Sequence, residues 1–270
     1  MMRLTGEDRM HFEQVDTGKA TFEVMRTTAR APEIVVLPGA AGGIRDYVAL
    51  CQCLDDRGYS VIGINPRSCG ASSGPLEGLA FADLATDVID VIEQLGLATV
   101  LLAGHAGGNR VARMAATLRP ELFSGIVLVA AGGKVPPEAD AMAAMRRMSD
   151  GGLSKDELAV AVKTAFLAPG SDIPDAYIEP GDRSSDFQKA FIAAIGTTPA
   201  ETWWAGGGLH MLVIQGKQDR IAPIGNGHQL RDQFPDRVHC VDLENAGHAL
   251  HLEKPDEVSR LIAEFARDLL

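Results

Sequence analysis

The chain has 270 residues, is 46% hydrophobic and carries a formal net charge of −11. The length suits one α/β domain with an insertion, and the apolar share is ample for a real core. The acidic balance argues against nucleic acid or an anionic membrane surface as a main partner.

Residues 10–15 and 20–27 alternate as an outer hairpin, with Asp16-Thr17-Gly18 as the turn. Glu33 to Leu37 is a β-branched run that predicts a buried strand. The loop Pro38-Gly39-Ala40-Ala41-Gly42-Gly43 follows, then a helix from Ile44 to Gly58. Ser60 to Ile64 predicts a second buried strand, running into Asn65-Pro66-Arg67-Ser68-Cys69-Gly70-Ala71-Ser72. Phe81 to Leu95 places Leu84, Val88, Val91, Ile92 and Leu95 on one helical face. Val100 to Ala103 reads as a strand and Asn109 to Leu118 as a helix, with Gly104-His105-Ala106-Gly107-Gly108 between them. Ile126 to Ala130 is the next strand.

The alternation then stops. Residues 134–204 hold no strand candidate and three helical stretches, Glu138–Met148, Lys155–Leu167 and Ser185–Ile195. They are expected to form a helical cap inserted after the sixth strand, over a core made of 1–133 and 205–270. The α/β pattern resumes with strands His210–Gln215 and Val238–Leu243 and helices Asn226–Phe234 and Pro255–Leu269. Short apolar strands alternating with helices predict an α/β fold with a mostly parallel sheet.

Strand, Gly-x-X-x-Gly, helix is the layout of a nucleophile elbow, in which a sharp turn leaves no room for flanking Cβ atoms. The central residue is Ala106, and a methyl group cannot attack a carbonyl. In parallel sheets ligands gather at the carboxyl ends of the strands. Asp219 in GKQDRIAP and His248 in AGHALHLEKP both follow strands there. Nucleophile position, acid and histidine thus occur in the order of a hydrolase triad. In such a triad a carboxylate orients an imidazole that moves a proton.

With LPGAAGG, NPRSCGAS, GHAGG and the two motifs just named, the chain resembles the α/β-hydrolase superfamily. The similar branch includes esterases, lactonases, C–C hydrolases and cofactor-free lyases or dioxygenases, and the resemblance spans nearly the whole chain. It implies an α/β-hydrolase fold, Asp219 as the triad acid, His248 as the base, and the Ala40 and Gly107 N–H groups as the oxyanion hole. The usual His-Gly before the oxyanion residue is Pro38-Gly39 here, and the usual Asp-x-Arg-Gly is Asn65-Pro66-Arg67-Ser68. Neither change removes a backbone donor. Ala106 departs in kind. It stands for an engineered Ser→Ala change, a natural serine-free mechanism, or a fold that has turned from catalysis to binding. The expected substrate is a small ester, lactone or β-dicarbonyl compound. The alternatives are a silent ligand-binding protein and a non-hydrolytic lyase or cofactor-free oxygenase.

Other residues carry a functional and a packing reading side by side. Arg67 is a candidate anchor for an anionic substrate or one half of a structural ion pair. His105 is a candidate substrate contact or a packed turn residue, and His251 a neighbour of the same cavity or a helix start. Trp203 and Trp204 are candidates for the pocket wall, with cap packing as the plainer role. Cys69 is a candidate displaced thiol with no evident base. Ser68, Ser72, Asn226 and Glu253 read as turn, cap or pairing residues. Cys51, Cys53, Cys69 and Cys240 are too few and scattered for a disulfide framework, and no metal-ligand spacing or phosphate loop occurs. No cofactor or metal is expected, the partner is a small-molecule substrate, and a homo-oligomer is left open. The N-terminal MMRLTGEDRM lacks an apolar signal core, so a cytoplasmic protein is the default expectation.

Overall fold

The computed structural model describes residues 10–27, 33–40, 42–178 and 181–270. Most of the N-terminal stretch read for a leader, and Ala41 of the first glycine loop, lie outside the described residues. The strands are β1 (His11–Asp16), β2 (Thr21–Arg26), β3 (Ile34–Leu37), β4 (Val61–Ile64), β5 (Val100–His105), β6 (Phe123–Val129), β7 (Met211–Gly216) and β8 (Val238–Leu243). They form one sheet in the order β1-β2-β4-β3-β5-β6-β7-β8. From β4 to β8 all neighbours are parallel, and the β1–β2 hairpin adds on antiparallel through β2 and β4.

The helices are α1 (Val48–Asp56), α2 (Phe81–Gln94), α3 (Gly107–Leu118), α4 (Ala139–Asp150), α5 (Lys155–Phe166), α6 (Ser185–Gly196), α7 (Gly225–Gln233), α8 (Leu250–Glu253) and α9 (Pro255–Arg267). Side chains of a strand alternate between faces, and β3 illustrates the consequence. Val35 and Leu37 enter the core shared with α2 and α3, whereas Ile34 and Val36 enter the core shared with α1 and α9. Both faces of the sheet are therefore covered, which is what a continuous apolar run in a parallel strand demands.

Several boundaries differ from the sequence expectation; β6, for one, begins at Phe123 rather than Ile126. The helix expected from Ile44 opens as a 3₁₀ turn over Ile44–Tyr47 before α1 begins. The elbow strand extends to His105, because pairing with β6 continues through His105↔Val129. The four-residue helix α8 is absent from the expectation, because a single turn is too brief to show a period.

Helices α4, α5 and α6 lie between β6 and β7, where the insertion is expected. Phe187, Phe191, Trp203 and Trp204 bury into the α2/α3 core, while Phe166 of α5 packs with Ala249 beside the C-terminal loop. Asp182 ties the insertion to the loops after β3 and β4. Its carboxylate accepts from Asn65 Nδ2 at 3.0 Å and pairs with Arg45 at 2.5 Å. Among the described residues, no helix is long and apolar enough to cross a membrane.

Candidate active site

The elbow forms as the glycine spacing requires. Ala106 has φ 49° and ψ −111°, a region that costs a non-glycine residue on the order of 1–3 kcal/mol. Two crossings explain the glycines beside it. A Cβ on Gly104 would lie 2.4 Å from the Gly108 carbonyl oxygen, and one on Gly108 would lie 2.5 Å from that of Pro38. The strained turn is thus kept around a side chain that cannot attack.

Gly107 begins α3, so its N–H has no carbonyl one turn back. A Cβ on Gly107 would sit 2.9 Å from the Ala40 nitrogen, which places the two backbone groups side by side. Among the described residues neither N–H finds an acceptor. Two unpaired donors, one of them at a helix N-terminus, are suited to developing negative charge.

Asp219 and His248 come together from the loops after β7 and β8. His248 Nδ1 lies 2.9 Å from Asp219 Oδ2, and the Asp219 side chain is fully enclosed. Asp219 Oδ1 accepts the N–H groups of Ile221 at 2.9 Å and Ala222 at 2.7 Å. These bonds fix the carboxylate, and the carboxylate in turn makes Nδ1 the protonated nitrogen of neutral His248, leaving Nε2 as acceptor. Nε2 has no partner among the described residues. The Phe166 ring of the insertion stacks on His248 at 5.7 Å.

His105 and Tyr47 hold this arrangement from below. His105 Nε2 lies 2.8 Å from the His248 carbonyl, which can only accept, so Nε2 carries the proton and Nδ1 accepts from the Tyr47 hydroxyl at 2.7 Å. Tyr47 Oη in turn accepts the Gly39 N–H at 3.0 Å. Burial pushes the His105 imidazole well below its usual value, so it stays neutral. His251 stacks on Tyr47 at 4.4 Å and lies 4.1 Å from His105. Burial first, and His248 second, push its imidazole down to about 3. His105 is therefore occupied at both nitrogens rather than turned towards a substrate.

Glu253, read from sequence as a local capping or pairing residue, reaches further. It accepts from Gly247 N–H (2.7 Å), Ala168 N–H (2.8 Å) and the Ser171 hydroxyl (2.7 Å). One carboxylate thereby fastens the loop carrying His248 to the end of α5.

The remaining sequence candidates fall elsewhere. Arg67 forms a bidentate pair with Asp87, at 2.7 and 2.6 Å, with both side chains 8% exposed. That places it in the ion pair rather than at an anchor point. Trp204 is 2% exposed, donates its indole N–H to Gln233 at 2.8 Å and packs on Gly133. Cys69 is buried and its thiol is pushed up to about 12, and Ser72 is engaged by the Glu23 N–H and the Asn65 carbonyl. An apolar pocket borders Ala40, walled by Leu37, Ile64, Leu84, Val88, Phe187 and Phe191. Away from the elbow, His228, Cys240 and Asp242 bring ligand-type atoms within 4.8 Å of one another. Sequence spacing missed this cluster because α7 and β8 meet only in the fold.

The chain belongs to the alpha/beta hydrolase family, whose profile matches residues 34–261. It is similar to the uncharacterized hydrolase YugF of Bacillus subtilis, 26% identical over 69% of this chain and 72% of that protein. It is also similar to 3-oxoadipate enol-lactonase 2 of Acinetobacter baylyi, 22% identical over 76% and 77% of the two chains. Among solved structures, an esterase from Exiguobacterium antarcticum shares the fold with a TM-score of 0.75. It is 18% identical over 92% of this chain and 96% of that one.

Proposed function

We propose that this protein hydrolyses a small ester, lactone or β-dicarbonyl compound without a protein nucleophile. The observation that supports this most is the enclosed Asp219–His248 pair, 2.9 Å apart, kept beside an elbow whose strained backbone is intact. A fold that only binds has no use for an oriented base.

The chemistry follows from the parts. The substrate carbonyl oxygen points at the Ala40 and Gly107 N–H groups. In this reading a water takes the place of a serine hydroxyl, and His248 Nε2 takes a proton from that water as its oxygen bonds to the carbonyl carbon. Asp219 stabilises the imidazolium, and the two N–H groups hold the negative charge of the tetrahedral intermediate. Collapse re-forms the carbonyl, breaks the bond to the leaving group, and returns the proton from Nε2 to it. Water is consumed and no covalent enzyme intermediate forms. For a β-dicarbonyl the departing group is an enolate carbon, protonated in the same way. The apolar pocket beside Ala40 suits the hydrocarbon part of the substrate.

The test is turnover of a panel of esters, lactones and β-diketones by this chain and by His248→Ala. Hydrolysis by the chain, lost in His248→Ala, is expected. Saturable binding without turnover would point instead to a ligand-binding protein, and products lacking the elements of water to a lyase or oxygenase.

A further inference from the structure

The site edge is rich in arginine, and most of these residues are accounted for. Arg67 has Asp87, Arg45 has Glu23 and Asp182, and Arg220 has Glu138 and Asp140. Arg110 and Arg113 differ. They lie three residues apart on the elbow helix α3, and neither has a carboxylate partner among the described residues.

Arg113 is fully buried. Its Nη2 donates to Asn109 Oδ1 at 2.7 Å and to the Gly132 carbonyl at 2.6 Å, while Nη1 is buried without a partner. Its guanidinium carbon lies 4.5 Å from the Trp203 ring centre and 5.0 Å from that of Trp204. The Asn109 amide donates to the carbonyls of Ala106 and Ala130, so Arg113 is tied directly to the elbow.

Arg110 has no hydrogen bond among the described residues. Its guanidinium lies against Gly132, where a Cβ would stand 2.9 Å from Nη2 and 3.6 Å from Cζ, and its Cζ is 6.0 Å from the Trp203 ring centre. Gly132 follows β6, the strand beside β5, at the carboxyl edge of the sheet where Ala106 sits. Desolvation weakens the charged form of Arg110, yet the side chain keeps partial contact with solvent.

Two desolvated cations without a counter-charge repel each other, and Arg110 has no hydrogen bond to offset its share of that cost. Apolar residues of similar volume would be cheaper. The planar fork of an arginine is suited to bind a carboxylate with two parallel bonds, and the nearby indoles favour the cation. In a chain of net charge −11 this cluster is also a local positive spot that draws an anion against the surrounding field.

We propose that Arg110, backed by the fixed charge of Arg113, binds a carboxylate carried by the substrate. The hydrolase reading above then narrows to carbonyl compounds bearing a free acid a few bonds from the reacting carbon, since Arg110 begins one helical turn beyond Ala106. This narrowing rests on that reading, but the binding site does not.

Trp203 and Trp204 are the two tryptophans of the chain, so intrinsic fluorescence reports on this cluster without turnover. Succinate, neutral dimethyl succinate and inorganic phosphate are titrated into the unmodified protein, Arg110→Gln and Arg110→Lys. A saturable change with succinate is expected, absent with the diester, weakened at least about tenfold in Arg110→Gln, and partly kept in Arg110→Lys. Equal succinate affinity in the unmodified protein and Arg110→Gln would overturn the proposal, as would no response to succinate. Phosphate binding as tightly as succinate would overturn the carboxylate assignment. The same titration on His248→Ala separates the two readings. Succinate binding that persists while no substrate is ever turned over would leave the anion site standing and remove the catalytic account.

Discussion

His105 Nε2 donates to the backbone carbonyl of His248 across 2.8 Å, so the residue before the elbow holds the loop that carries the base. Through Tyr47 the same imidazole reaches the Gly39 N–H, one residue from the Ala40 donor. Oxyanion loop, elbow and base loop are thus joined by one chain of hydrogen bonds through the core.

Asp219→Asn tests the orientation of the base. An asparagine oxygen can keep the bonds from Ile221 and Ala222, but its NH₂ then faces His248 Nδ1. Nδ1 must become the acceptor, which moves the ring proton to Nε2, the wrong tautomer for a base. A fall in kcat on the order of 10⁴-fold is expected, with little change in unfolding midpoint. Retained activity would show that His248 does not act as a base.

His251→Phe tests the buried neutral histidines by pH. His251 binds its proton only near pH 3 in the folded state, whereas an unfolded histidine does so near its ordinary 6.5. Below about pH 6.5 the unfolded chain therefore holds more protons, and stability falls as pH drops towards the folded value. The slope from this residue is about 1.4 kcal/mol per pH unit. Phenylalanine keeps the stack on Tyr47 and does not titrate. Urea unfolding between pH 4 and 6 should show a slope smaller by about one proton; an unchanged slope would contradict the assignment.

Arg67→Gln separates ion pair from substrate anchor. Removing the guanidinium strands the Asp87 carboxylate, whose pKa burial already pushes up despite its partner. A loss of about 3–5 kcal/mol in unfolding free energy is expected. A stable variant with raised KM would instead make Arg67 an anchor.

Glu253→Gln weakens the clasp between the His248 loop and α5. An amide offers one accepting oxygen where the carboxylate gave two, so one of three donors is left unsatisfied or opposed. About 1–3 kcal/mol of stability should be lost. Faster hydrogen exchange at whichever of the Gly247 and Ala168 amides faces the new NH₂ is the check, and unchanged protection at both would contradict the clasp.

Much of this was legible in the chain itself. The elbow could be read because strand, glycine spacing and helix are all local, and Asp219 and His248 because each follows a strand whose end faces the ligand edge. Partners distant in sequence could not be read. Arg67 finds Asp87 on the next helix, His105 finds a carbonyl 143 residues away, and Arg110 is notable for a partner it lacks. A lone sequence shows a charged residue but not whether its counter-charge is already present, which is why Arg67 carries both an anchor and an ion-pair reading and Arg110 stands out only in the fold.

The central claim is hydrolysis without a covalent enzyme intermediate, and intact-protein mass measured during turnover tests it most directly. An ester hydrolysed by this chain is quenched in acid at successive times beside Ala106→Ser. The account predicts product from the unmodified chain with no added mass at any time. Ala106→Ser places a hydroxyl on the strained elbow and is expected to gain the acyl group. An acyl adduct on the unmodified chain would contradict the account and send the search for a nucleophile to the loop of Ser68 and Cys69.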